Sequence, residues 1–335
     1  MKPTLSILDP SPIFQGRSAA DALRETRALA VAADEMNYRA YWVQEHHNAT
    51  SFAGTTPEVL MADLGARTNR IALGSGGIML PNYSPMKVAE WGQTLNQLYP
   101  GRIEIGLGRA TGADPRASAA LLGPGGQNFP AMLRMMMDWF LDASGEAPLP
   151  ADHRAYGIAA NPPGPRPDVW MLCSSPGSAA FAGQMGVKLA FADFLNPGGA
   201  KDALAAYHDA FEPSLFCHEP YAGIGLVVLA AETDEQADYL AGSIKAWALG
   251  RGTGEFRPYL SAAAAKDYLE KAPLEPPQRG IIGDGVSVAQ ELISVANEAR
   301  AKELFLLSIT DSLETRINSY RLIEQAMRAL TANQT

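Results

Sequence analysis

The chain predicts an α/β fold, a (β/α)8 TIM barrel with insertions, and three observations carry that expectation. Eight short apolar runs of strand length recur from end to end, each followed by a stretch whose apolar residues fall at helical spacing. Strands separated by helices are parallel neighbours, because a parallel pair needs a crossover connection. The G-x-G-x-x-G turn that marks an open dinucleotide-binding sheet is absent after the first strand, and eight units suit a closed ring better than an open sheet.

In order, Thr4–Leu8 reads as the first strand, and Ser18 offers an N-cap to a helix carrying Ala22, Leu23, Leu29, Ala30 and Ala33 on one face. Ala40–Val43 is the second strand. Thr55-Thr56-Pro57-Glu58 opens the next helix, either as a T-x-x-E capping box or as an N-cap followed by proline, and both registers stay open. Ile71–Gly74 is the third strand, Ser84-Pro85 starts a helix reaching about Leu98, and Arg102–Leu107 alternates as the fourth strand. A helix over Pro130–Asp142 precedes a Pro-, Gly- and Ala-rich excursion over residues 143–167. Val169–Leu172, Leu189–Ala192 and Gly225–Leu229 are the fifth to seventh strands, with helices over Ser178–Met185, Lys201–Ala210 and Asp234–Leu249. Residues 250–285 read as an irregular, mobile insertion. A helix over Val286–Ala296, the eighth strand Glu303–Leu307 and a helix over Asp311–Leu330 complete one domain of residues 1–330, with 331–335 as a tail.

Composition bounds the function. With 335 residues, 47% of them hydrophobic, the chain can bury a large core. A formal net charge of −9 argues against a nucleic-acid partner, which needs a basic surface. The two cysteines, Cys173 and Cys217, form no C-x-x-C pair, so neither a disulfide framework nor a zinc site is expected and a reducing cytosol is the natural compartment. The opening MKPTLSILDPSP reads as a strand, not a signal peptide, and no apolar run approaches the ~20 residues that span a bilayer.

Barrel active sites lie at the C-terminal ends of the strands, which selects four segments. Glu45-His46-His47 follows the second strand; a carboxylate beside histidines can fix a tautomer or raise a pKa, making a proton donor or acceptor. A metal would need further ligands; no H-E-x-x-H is present, and His153, His208 and His218 form no ligand pattern. Gly76-Gly77 closes the third strand, where missing side chains let backbone approach a planar ligand or simply make a turn. Arg109 tips the fourth strand, where a guanidinium can hold a phosphate or an electron-rich ring edge or else join a surface salt bridge. Ser174, Ser175 and Ser178 lead from the fifth strand into a helix, as a phosphate cradle or an ordinary cap. Cys173 reads as a core residue. The set suits a phosphorylated, planar cofactor.

The chain resembles the bacterial luciferase-like flavin-dependent monooxygenases over nearly its whole length, most densely in YWVQEHHN (Tyr41–Asn48), TPEVLMADLGARTNRIALGSGGIMLPNYSPMKVAE (Thr56–Glu90) and YPGRIEIGLGRATGAD (Tyr99–Asp114). The resemblance implies a barrel that binds reduced FMN from a separate flavin reductase, uses O2 on a small organic substrate, and pairs as a homodimer. It implies that His46 sits near the reacting edge of the flavin, assisting proton transfer or steadying the oxygen adduct, while Glu45 orients the loop and supports the dimer interface. Gly76-Gly77 falls where relatives hold a non-proline cis peptide against the flavin, Arg109 would contact the flavin or its phosphate, and Ser174, Ser175 and Ser178 would receive the phosphate. Light-emitting members carry a cysteine where this chain has Gly108 and an acidic residue at Ser174, so light emission is not implied. The serine turn follows the fifth strand, not the seventh and eighth as in the commonest barrel phosphate sites. Relatives that use the deazaflavin F420 for hydride transfer, and a flavin-binding protein without catalysis, are the alternative readings.

Overall fold

Ten parallel strands organise the chain in the computed structural model, which describes residues 2–122, 128–277 and 280–332. They are β1 (Thr4–Asp9), β2 (Ala40–Val43), β3 (Ala72–Ser75), β4 (Ile78–Met79), β5 (Ile103–Gly108), β6 (Asp168–Cys173), β7 (Lys188–Ala192), β8 (Ala222–Ala231), β9 (Ile281–Asp284) and β10 (Glu303–Leu307). Eight of them close a ring in the order β1-β2-β3-β5-β6-β7-β8-β10, with β10 paired on both β1 and β8. The fold is a (β/α)8 barrel. The short β4 pairs with the end of β5, and β9 extends the outer end of β8, so neither belongs to the ring.

The period of two decides what fills the barrel and what faces the helices. Leu8, Trp42, Trp170, Ala190 and Phe305 point inward and pack together, with the Trp42 and Phe305 rings 4.1 Å apart and Trp42 edge-on to Trp170 at 5.2 Å. Their neighbours Ile7, Tyr41, Val43, Met171, Phe191 and Leu304 point outward into the larger core under the helices. The N-terminal end is closed by charge: Arg39 donates to Glu104 at 2.6 Å and to Glu303 at 2.8 Å, and the Trp42 indole donates to Glu104 at 2.7 Å. Burial pushes the Glu303 carboxyl up, Arg39 pulls it back and Glu104 adds to the rise. In this barrel class that end serves stability.

The helices are α1 (Ala19–Glu35), α2 (Pro57–Gly65), α3 (Pro85–Leu98), α4 (Pro115–Leu122), α5 (Phe129–Ser144), α6 (Pro176–Gln184), α7 (Ala200–Asp209), α8 (Asp234–Gly252), α9 (Ala262–Lys271), α10 (Gly285–Ala299) and α11 (Leu313–Ala332). Ser18 caps α1 in a reciprocal box with Asp21. Thr56 is the N-cap of α2 with Pro57 behind it and no side-chain bond, which settles the register left open above.

Two expectations need correction. Within residues 250–285 the described residues include α9 and β9, so the stretch is more regular than expected, and Ala262 and Ala265 pack on α8 residues such as Ala241 and Ala246. The buried residues of α9, Ala262 and Ala265, are too small to stand out as an apolar stripe. The tail begins later than residue 331, since α11 continues to Ala332; residues 333–335 lie outside the described ones. Among the described residues no helix is long and apolar enough to cross a membrane.

Candidate functional site

The polar residues that follow the barrel strands gather on one rim, as the strand-end rule requires. Glu45, two residues beyond β2, is fully buried and anchors that rim. Its carboxylate accepts from the Met79 backbone N–H at 2.9 Å and from Asn82 Nδ2 at 3.0 Å, and meets His47 Nε2 at 2.7 Å. The loop is also tied through its backbone, with the His46 N–H donating to the Gly54 carbonyl and the His47 N–H to the Gly112 carbonyl.

The carboxylate thus pairs with His47, not His46. The two histidines are adjacent, and the bend after β2 sends their rings in different directions. His46 stacks on Phe52, with ring centroids 4.2 Å apart and planes 25° off parallel. Its Nδ1 is buried and finds no hydrogen-bond partner among the described residues. Burial, then the Arg251 cation, then His47 push the His46 pKa down to about 4, so the ring is neutral at physiological pH. A pKa raised by Glu45, expected from the sequence, is not what the packing produces. A neutral imidazole can still give or take a proton, but it is not a standing cation.

The Gly76–Gly77 peptide is cis. The packing around it accounts for both glycines without any ligand: a Cβ on Gly76 would come within 2.4 Å of Leu8 Cδ1, and one on Gly77 within 2.7 Å of the Gly106 carbonyl. Arg109 is exposed at the end of β5 and forms no ion pair among the described residues, so the surface salt bridge weighed above is not made. It borders an open depression of about 590 Å³ shared with Pro81, Thr111, Leu122, Asn128 and Phe129.

Ser175 is the N-cap of α6, accepting from the Ser178 N–H at 3.4 Å, while Ser178 Oγ donates to the Ser175 carbonyl at 2.9 Å. The ordinary cap is therefore in place, and an incoming phosphate would exchange with it. Pro176 has no N–H to offer, whereas a Cβ on Gly177 would meet nothing within 4 Å, leaving an open approach to that backbone. Ser174 is exposed, and its carbonyl accepts from Asn196. Because β4 and β9 lie outside the ring, this turn does follow the fifth barrel strand. Burial pushes the Cys173 thiol up to about 12, outweighing Ser178 and Arg109, so it stays protonated. No group of three or more His, Cys, Asp or Glu that could hold a metal occurs among the described residues.

Residues 4–302 match the family model described as luciferase-like monooxygenase. The chain belongs to that family. Its relatives include a luciferase-like monooxygenase of Escherichia coli (strain K12), 35% identical over 95% of each chain. The N-acetyl-S-alkylcysteine monooxygenase of Bacillus subtilis (strain 168) is 34% identical over 97% of this chain and 98% of its own. Among solved structures, apo-MsnO8 superposes with a TM-score of 0.88 at 30% identity, covering 97% of this chain and 98% of that one. More distant structures share the fold: the FMN complex of the oxygenating constituent of 3,6-diketocamphane monooxygenase from Pseudomonas putida (19% identity, TM-score 0.71) and an F420-dependent secondary alcohol dehydrogenase (16%, 0.64).

Several residues of this rim escaped the sequence reading. Asn82 had no signal beyond its place after a glycine-rich strand end. Phe52, which stacks on His46, and Trp247 and Tyr259, which pack against Phe52, come from a loop, a helix and the stretch after α8, and only tertiary packing joins them.

Proposed function

We propose that this luciferase-like monooxygenase is the oxygenating component of a two-component system, working as a homodimer. It would take reduced FMN from a separate flavin reductase and use O2 to oxygenate a small organic substrate. The observation that carries the reading is His46: a neutral imidazole at the barrel mouth whose buried Nδ1 finds no partner among the described residues, which costs about 1–3 kcal/mol. Bound reduced FMN would supply the electrons that reduce O2, one oxygen atom passing to substrate and the other leaving as water.

The residues present fit such a group. Arg109, which forms no ion pair among the described residues, the Gly177 backbone, with open space where a Cβ would stand, and the hydroxyls of Ser174, Ser175 and Ser178 would hold its phosphate. The Gly76–Gly77 backbone would lie against its ring system. His46 would hold or move a proton at Nδ1, and Glu45 would keep the loop in place through Met79, Asn82 and His47. The aromatic surroundings of His46 would keep water from the reacting atoms.

The test has two arms. FMN is titrated into the protein and its absorbance and fluorescence followed; then O2 uptake is measured with reduced FMN and an N-acetyl-S-alkylcysteine, first choice because of the Bacillus relative. Spectral perturbation, and O2 uptake that His46→Ala abolishes without loss of FMN binding, are expected. Reduction of F420 by an alcohol without O2 uptake would replace oxygenation by hydride transfer. FMN binding with no turnover in either protein would make the chain a flavin carrier.

A further inference from the structure

Arg251, in the last turn of α8, is a cation without a carboxylate. Among the described residues it forms no ion pair, and the nearby Glu255 is engaged by Arg257 at 2.9 Å. Its guanidinium lies 5.1 Å from the Trp247 ring centroid and 5.6 Å from that of Phe256, and Phe256 itself is 70% exposed. A basic residue closing a helix complements the helix dipole, and that would suffice if Arg251 stood alone. It does not stand alone. Trp247 stacks on Tyr259 at 5.2 Å and meets Phe52 edge-on at 5.8 Å, and Phe52 stacks on His46. A continuous aromatic wall runs from the histidine of the rim to an unpaired cation.

The position of this wall separates it from the other cation. Arg109 and the serine turn belong to β5 and β6. Phe52 lies in the loop after β2, Tyr259 is bridged to Phe14 after β1, and Arg251 ends the helix after β8. In the ring, β5 and β8 stand three places apart with β6 and β7 between them, so the two cations follow different strands and lie on different arcs of the mouth. Arg251 is electrostatically coupled to the centre, being among the charges that hold His46 neutral and opposing the burial that raises the Tyr259 hydroxyl.

We propose that Arg251 binds the carboxylate of the substrate, and that the enzyme acts on organic monoanions whose apolar body lies along the partly exposed Phe52 and Trp247, with Tyr259 packed behind them. The word "acts" rests on the oxygenase reading; the binding does not. A flavin phosphate offers the same kind of anion, so the test distinguishes the two sources. The probes are 3-phenylpropanoate and its methyl ester, with affinities measured by saturation-transfer NMR on the wild type, Arg251→Gln and Arg109→Gln. FMN affinity is measured by fluorescence on the same three proteins.

The wild type is expected to prefer the acid over the ester. Arg251→Gln should weaken the acid about tenfold, the scale of one charge-assisted contact, and leave both the ester and FMN unchanged. Arg109→Gln should do the reverse. Equal binding of acid and ester by the wild type, undetectable acid binding, or an Arg251→Gln loss confined to FMN would overturn the proposal, the last by assigning the cation to the phosphate. If FMN binds none of the three proteins while the acid preference and its loss persist, the flavin reading falls and the carboxylate site stands.

Discussion

Replacing Glu45 with alanine removes the one charge on which the donors of the rim converge, the Tyr83 hydroxyl among them. The Met79 N–H, Asn82 Nδ2 and His47 Nε2 lie at 2.9, 3.0 and 2.7 Å from a carboxylate with no solvent exposure. A hydrogen bond to a charged acceptor contributes about 1.5–3 kcal/mol, and a buried donor stripped of its acceptor costs about 1–3 kcal/mol. The three terms do not simply add, because Asn82 and His47 are only partly buried and regain water, and Asn82 keeps its bond to the Thr111 carbonyl. A loss of about 3–5 kcal/mol is expected for Glu45→Ala, and about 1–2 kcal/mol for Glu45→Gln, which keeps the shape and a carbonyl acceptor. The assay is urea unfolding at neutral pH, reading the midpoint at constant slope. His47→Ala, alone and combined with Glu45→Ala, should return a coupling energy of about 1–2 kcal/mol. A Glu45→Ala cost below about 1 kcal/mol, or additive single mutants, would refute the claim that this carboxylate organises the rim.

Three further outcomes are expected. His46 titrates near 4 in the folded chain against about 6.5 unfolded, so its contribution is complete above pH 6.5 and is lost as pH falls toward 4; the difference amounts to about 3 kcal/mol, and His46→Gln should flatten that part of the stability-versus-pH curve. An unchanged curve in the variant would count against a buried, neutral His46. A Cβ at Gly106 would lie 2.0 Å from the Ser75 carbonyl oxygen on the neighbouring strand, so Gly106→Ala should abolish soluble folded protein, while Gly177→Ala, with nothing within 4 Å, should melt near the wild type in circular dichroism. Asp9 and Arg316 form a fully buried pair at 2.8 Å; Arg316→Met should cost about 3–5 kcal/mol in urea unfolding, and adding Asp9→Asn should recover part of it.

The strands were legible because an eight-fold pattern of short apolar runs is a local, periodic signal, and β2 and β10 lie where that signal puts them. The site was legible as far as position along the chain reaches: each candidate follows a strand, and strand ends converge in a closed barrel. The arrangement within the site was not. Whether Glu45 meets His46 or His47 depends on the bend of one loop, held by the carbonyls of Gly54 and Gly112.

By itself the sequence determined the barrel, the rim on which the candidate residues gather, and membership of the luciferase-like family, because periodicity, caps and motif spacing are written in neighbouring residues. Only the tertiary structure decided that His46 is neutral and that Tyr259 and Trp247 pack against the Phe52 that stacks on it. Those properties arise where Phe52 and, from about two hundred positions away, the charge of Arg251 meet His46, and burial and Coulomb interaction depend on distance in space, not along the chain.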